Sequence, residues 1–272
     1  MRLRKLLVSS LVLAACAGVA RAEPMPFAAH RATYDLALLK STGRKAPEAV
    51  SGRIVMEFSG SACEGYVTNF RQVTELQPAE GDAHTADMRS TTYEDSEAKS
   101  FSFKIETKVD AITTETIDGS ASHAGDGALK IKLQKPLDMK LDRDSGILFP
   151  TEHMRHILKV AREGGKLVET QAYDGSDNGE KIFNTLTVIG TVIDTPAQDK
   201  AMQIVALKGV KRWPVTISYF DAAKPDSPPQ YVIGFDLYEN GIARALRLDY
   251  GDFVLSGELT ELTYVSDGSC KK

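Results

Sequence analysis

His153 and His156 stand three residues apart beside Glu152. An i, i+3 pair on a helix can share a face, as two ligands of one metal ion must. The pattern stops short of a metal site: there is no HExxH spacing, and no third ligand follows at a characteristic distance. A pair of ordinary helix histidines is the better reading, and a metal-dependent hydrolase built around them the lesser one. Tyr173-Asp174-Gly175-Ser176-Asp177-Asn178-Gly179-Glu180 has the acidic look of a calcium loop. Counted from Asp174, Ser176 takes the third position and Gly179 the sixth, but Thr185 stands where the closing glutamate belongs. A solvated hairpin turn fits the stretch better. No Gly-x-Ser-x-Gly elbow and no Gly-rich phosphate loop occurs. Trp213, in Arg212-Trp213-Pro214, could stack on a ligand, but a single tryptophan opening a strand more often packs in the core or at its rim.

Cysteine chemistry points to structure rather than catalysis. Neither Cys63 nor Cys270 lies in Cys-x-x-Cys spacing, which argues against a redox-active pair. Residues 1–22 read as a secretory signal: Arg2, Arg4 and Lys5 precede an apolar run from Leu6 to Ala15, and Ala20-Arg21-Ala22 offers the small residues of a cleavage site. Leu13-Ala14-Ala15-Cys16 also fits the pattern ahead of a lipidated cysteine, so anchoring through Cys16 is the alternative to cleavage after Ala22. Either outcome leaves Cys63 and Cys270 as the pair in an oxidising compartment, and one intramolecular disulfide is expected. Residues 23–272 are then a single domain in the periplasm. The leader removes four of the 33 basic residues and none of the 37 acidic ones. The remainder carries about eight negative charges, which argues against nucleic acid as a partner.

Most of the text between the cysteines alternates with period two. Phe101, Phe103 and Ile105 alternate with Ser102 and Lys104. Leu129, Ile131 and Leu133 alternate with lysines and a glutamine, and Ile233, Phe235 and Leu237 continue the pattern. Such alternation marks strands with one buried and one wet face. Asp118-Gly119, Asp126-Gly127, Asn178-Gly179 and Asn240-Gly241 supply turn dipeptides, and the stretches 41–49, 78–85 and 222–229 read as loops. About a dozen antiparallel strands must curl into a barrel or spiral to manage their edges. One helix is expected from Glu152 to Glu163, with Thr151 as N-cap, Gly164-Gly165 as its stop, and Met154, Ile157, Leu158 and Ala161 on one face. It should plug or flank the barrel.

A set of stretches then resembles a known family. They are Phe149-Pro150-Thr151-Glu152-His153, Tyr173-Asp174-Gly175-Ser176, Trp213-Pro214-Val215 with Ser218-Tyr219-Phe220, and Leu237-Tyr238-Glu239-Asn240-Gly241 through Leu248-Asp249-Tyr250-Gly251-Asp252-Phe253. Together with Cys63 and Cys270 they are similar to the EipB family of cell-envelope integrity proteins. The resemblance implies a periplasmic, long-stranded, open spiral β-barrel whose shape is like that of lipoprotein and lipid carriers. It maps the family disulfide onto Cys63 and Cys270 and implies a periplasmic tetratricopeptide-repeat partner. It brings no catalytic residue, metal ligand or cofactor. The expected function is non-catalytic support of the envelope through protein partners. The alternative is a carrier that holds a lipid or lipoprotein acyl chain inside the barrel. A filled interior would favour the first, and a continuous apolar cavity the second.

Overall fold

The computed structural model describes residues 27–43, 46–197, 207 and 209–266. The expected signal segment, Cys16 and Cys270 lie outside the described residues. Strands β1 (His30–Ser41), β2 (Ala49–Ser61), β3 (Gly65–Gln77), β4 (His84–Glu94), β5 (Ser100–Val109), β6 (Ile112–His123), β7 (Ala128–Lys135) and β8 (Met139–Ser145) form one antiparallel meander. The chain then passes through β9 (Ile147–Leu148), helix α1 (Pro150–Arg162) and β10 (Leu167–Ala172). A second meander follows: β11 (Phe183–Ile189), β12 (Arg212–Asp221), β13 (Tyr231–Tyr238), β14 (Ala243–Asp249) and β15 (Phe253–Tyr264).

β15 returns to pair with β1, so the two meanders form one 15-stranded sheet. Every pairing is antiparallel except β9 with β10, which run parallel because α1 crosses between them. Bulges interrupt the register at Thr33/Tyr34, Thr107/Lys108 and Gly234/Asp236. A bulge adds local twist and bends its strand, which helps so wide a sheet curl. The end strands β8 and β9 are separated in the chain only by Gly146, yet no ladder joins them. The result is a nearly closed barrel with one unsealed seam.

Side chains close that seam. Phe101, Phe103, Ile117, Ile131 and Leu133 on the inner face of β5–β7 pack with Ile147, Phe149 and Tyr173 from the other side. Tyr173 meets Phe103 edge-on at 5.7 Å, and Phe101 stacks on Phe149 at 5.3 Å. The loop from β10 to β11 leans onto this surface. Gly175 and Gly179 have φ of +77° and +79°, and a Cβ on either would stand 2.5 Å from Phe103 or Leu133. Only glycine suits both the backbone and the close approach. Tyr173 donates its hydroxyl to the Gly179 carbonyl at 2.7 Å. The stretch is therefore a hairpin connection whose Asp177, Asn178 and Glu180 are exposed, as its composition predicts, while Tyr173, Gly175 and Gly179 are buried.

Two expectations are corrected. Asp118-Gly119 is not a turn: it lies inside β6 at a register shift opposite β7. Gly119 is there for space, because a Cβ would come within 2.8 Å of both Phe103 and Leu133. Thr151 is not the helix N-cap either. The helix starts two residues earlier, at Pro150 with Phe149 as N-cap, and Phe149 supplies no side-chain hydrogen bond. The capping acceptor comes from β4, where the buried Glu94 carboxylate accepts the N–H groups of Thr151 at 2.7 Å and Glu152 at 2.8 Å. Proline is favoured in the first helical position because its missing N–H is not needed there.

The amphipathic spacing of α1 is realised largely as expected. Ile157, Leu158 and Ala161 pack on Val168, Ile189, Trp213, Val215 and Leu237, so the helix sits on the inner face of β10–β13. Trp213 is a core residue of this cluster. Leu158 is 1% exposed. Leu158→Ala is therefore expected to destabilise the protein by about 2–5 kcal/mol through lost burial and the cavity left behind. Urea unfolding checks this, and a cost below about 1 kcal/mol would mean that the helix does not pack where it is placed.

Candidate functional site

Helix α1 fills only part of the interior. Beside it, the inward faces of β1–β3 and β13–β14 line a half-open cavity of about 690 Å3, within the range of small-molecule sites. Period-two alternation builds its walls. β2 contributes Ile54, Met56 and Phe58, and β3 contributes Thr68, Phe70 and Gln72. The facing wall carries Ile233, Phe235 and Leu237 of β13 with Leu246 and Leu248 of β14. Met154 packs at the edge of the Ile157 and Leu158 cluster, as expected, and also lines the cavity. The lining follows β13 from Tyr231 to Leu237, a length of about 20 Å at strand rise. The space is elongated and lined mainly by carbon.

Its polar groups gather toward the two ends. Exposed Asp177, Gln230 and Tyr250 rim one end, next to half-buried Asp174. Asp174 accepts both the backbone N–H and the hydroxyl of Ser176, at 2.9 and 2.7 Å, yet burial still pushes its carboxyl above the ordinary range. Tyr219 and Tyr231 stack at 4.5 Å beside this rim, with Phe183 edge-on to both. Burial raises both phenols, so neither ionises near neutral pH. The other end is formed by His30, Phe27, Phe58 and buried Asn240. His30 Nδ1 bonds the Ala28 carbonyl at 2.7 Å, and burial lowers the imidazole pKa. Tyr34, deeper on β1, gives its hydroxyl to the Ala243 carbonyl at 2.9 Å.

The residues considered for chemistry do not converge. His153 is buried and His156 exposed, so the pair does not share a face. His153 Nε2 meets the Thr185 hydroxyl at 3.3 Å. In the acidic loop, Asp174 turns to Ser176 while Asp177 pairs with Lys181. Among the described residues, no group of three or more His, Cys, Asp or Glu is placed to hold a metal ion. Cys63 is exposed in the turn between β2 and β3. At the same end of the barrel, the end of β15 pairs Tyr264 with His30, which also faces Phe58 of β2.

The carrier alternative implied an apolar cavity, but neither His30 on its wall nor the buried Glu94 that caps the helix was singled out from sequence. His30 heads an inward series with Ala32, Tyr34 and Leu36 on β1, and a histidine on an otherwise apolar strand face is a signal that period-two reading can detect. Glu94 carries no comparable signal, since its helix lies 57 residues away.

His153 generates a pH prediction. Burial, and secondarily the charge of His156, lowers its pKa from 6.5 to about 4. Between those values the unfolded chain binds a proton that the folded protein does not, so stability is lost as pH falls from 6.5 toward 4. Relative to His153→Gln, the native protein is expected to lose about 2–3 kcal/mol between pH 7 and roughly pH 4.5. Urea midpoints for both proteins at the two pH values test this, and a constant difference would contradict it.

The EipB-like family profile matches residues 21–266. The cell envelope integrity protein EipB of Brucella abortus (strain 2308) is 39% identical over 243 residues, 89% of this chain and 86% of that one. The crystal structure of a β-barrel-like protein of the domain of unknown function DUF1849 from Brucella abortus aligns at 37% identity. Its TM-score is 0.84, over 89% of this chain and all of that one. With a barrel of that shape and a match that runs nearly end to end, this chain belongs to the EipB-like family.

Proposed function

We propose that this protein supports cell-envelope integrity from the periplasm by binding rather than by turnover, and that it holds an elongated apolar molecule, such as an acyl chain, inside its barrel. The cavity carries this reading. An interior that served only as scaffold would be filled by its own side chains, as the β5–β7 half is. The opposite half instead leaves about 690 Å3 beside the helix. The name of the Brucella relative supports an envelope role. No helix among the described residues is long and apolar enough to cross a membrane.

A tetratricopeptide-repeat partner, implied by family resemblance, would meet the outside of the barrel. The edge of β8 that has no strand neighbour is a surface where such a contact could form.

The carrier reading is tested by filling the cavity. Ala243→Phe and Thr68→Leu add volume at two lining positions, with an overpacking cost of about 1–3 kcal/mol at most. Both variants are expected to fold, to release or refuse a fluorescent fatty-acid analogue, and to fail to restore envelope resistance in a strain lacking the gene. Full restoration by a folded, filled variant would overturn the reading.

We also propose that Cys63 pairs with Cys270. Six residues beyond Tyr264 can span up to about 20 Å, and the chain leaves β15 at the end of the barrel where Cys63 lies. Closing a loop of about 200 residues restricts the unfolded chain by roughly 5 kcal/mol in the entropy model. Non-reducing peptide mapping of the exported protein is expected to recover one linked Cys63–Cys270 peptide. Two free thiols would refute the pairing.

A further inference from the structure

We propose that the cavity's ligand carries a cationic N–H head group, an alkylammonium, held by Asp174 at the open end, with its apolar chain running inward toward His30. The inference rests on the ligand-binding reading of the cavity and names the class of molecule that fits it.

The direction follows from exposure. At one end of the cavity Asp177, Gln230 and Tyr250 are exposed. At the other, His30 is 2% and Asn240 7% exposed, and the Phe27 ring stands edge-on to Phe58 and Tyr66. Between the ends the walls are mainly carbon. A chain with a polar head enters such a space tail first and leaves the head beside water and polar groups.

The sign of the head follows from the charges that meet it. No lysine or arginine lines the cavity, and its acidic lining residues are Asp174, Asp177 and Asp249. Two of these already have cations. Asp177 pairs with Lys181, and Asp249 with Arg247 at 2.9 Å. Lys181 is also held by Gln230 at 3.1 Å. Asp174 has no basic partner among the described residues. Its bonds from Ser176 both go to Oδ1, while Oδ2 accepts none from another described residue and is not sealed from small molecules. Burial, and the charge of Asp177, push this carboxyl up. A carboxylate in that position is costly until a cation joins it. An ammonium supplies both the opposite charge and N–H donors. A carboxylate or phosphate head would instead add a like charge. It gains nothing from Asp174 and stays in the solvent beyond the rim, so a fatty acid binds by its chain alone.

Three ligands with the same chain separate the possibilities. The purified protein is loaded with a fluorescent fatty alcohol and titrated at neutral pH with dodecylamine, dodecanol and dodecanoate, each below the concentration at which it aggregates. The amine is expected to displace the probe at about tenfold lower concentration than the alcohol, the worth of one charge-assisted hydrogen bond, and the carboxylate to do no better than the alcohol. Asp174→Asn keeps the size of the side chain and removes its charge, so it should erase the amine's advantage and leave the alcohol's displacement unchanged. In the native protein the carboxyl carbon-13 resonance of Asp174 should move with the amine and not with the alcohol, a reading that does not depend on whether the variant folds. An amine no better than the alcohol, or an amine advantage that survives in Asp174→Asn, would overturn the role of Asp174 and leave the apolar-ligand reading standing. So would an unmoved Asp174 resonance. Failure of the native protein to bind the probe or any of the three chains would overturn both.

Discussion

A sheet of fifteen strands has two edges, and everything else in this molecule depends on how those edges are brought together. Unpaired strand edges expose backbone donors and acceptors that invite association with other chains. Full closure by hydrogen bonds is one solution. Here β8 and β9 meet without a ladder, and an aromatic cluster across the gap does the work. The two glycines of the β10–β11 loop belong to the same device, because they let backbone rest directly on Phe103 and Leu133. Arg143 Nη2 adds a bond to the Glu180 carbonyl at 3.3 Å across the same region. The strength of this side explains why the interior is solid there.

The helix apportions the remaining space. Its two ends are fastened to different parts of the wall. Glu94, at the end of β4, caps the first turn. Arg162, in the last turn, reaches Glu239 after β13 through its side-chain carboxylate and its carbonyl, both at 3.0 Å. Glu94 is 3% exposed, and burial raises its pKa in spite of the two N–H groups it accepts. A carboxylate placed there favours one helix position, since the N-terminal N–H groups and the helix dipole both attract it. Held at both ends, the helix packs Ile157 and Leu158 against one wall, with Met154 at the edge of that cluster where the cavity begins. The cavity is thus a product of where the helix is tied, not of missing core residues.

Strand alternation was the legible part of the sequence. Phe101, Phe103, Leu129, Ile131, Leu133 and Leu237 are buried as their spacing predicts, because a pleated strand with one wet face leaves no other arrangement. The helix was legible for the same kind of reason. What could not be read locally was whatever depends on distant partners. Thr151 has the chemistry of an N-cap, yet the acceptor arrives from β4. Asp118-Gly119 has the text of a turn, yet the glycine serves a tight approach to Phe103. The acidic loop looks solvated, yet Tyr173, Gly175 and Gly179 are buried against strands from the other meander. The candidate site was hidden by the same limit. Its wall residues were individually visible as apolar alternation, but alternation does not say whether an inner face is filled or empty, or that His30 stands on it.

The seam has a mechanical meaning. Around most of the circumference, separating neighbouring strands would break a row of backbone hydrogen bonds. Between β8 and β9 it would break side-chain contacts, and the chain there is joined through Gly146 at φ +84°. A barrel of this kind is a split ring. Along that one line the ring is held by side chains and a single-glycine connection and not by a backbone ladder.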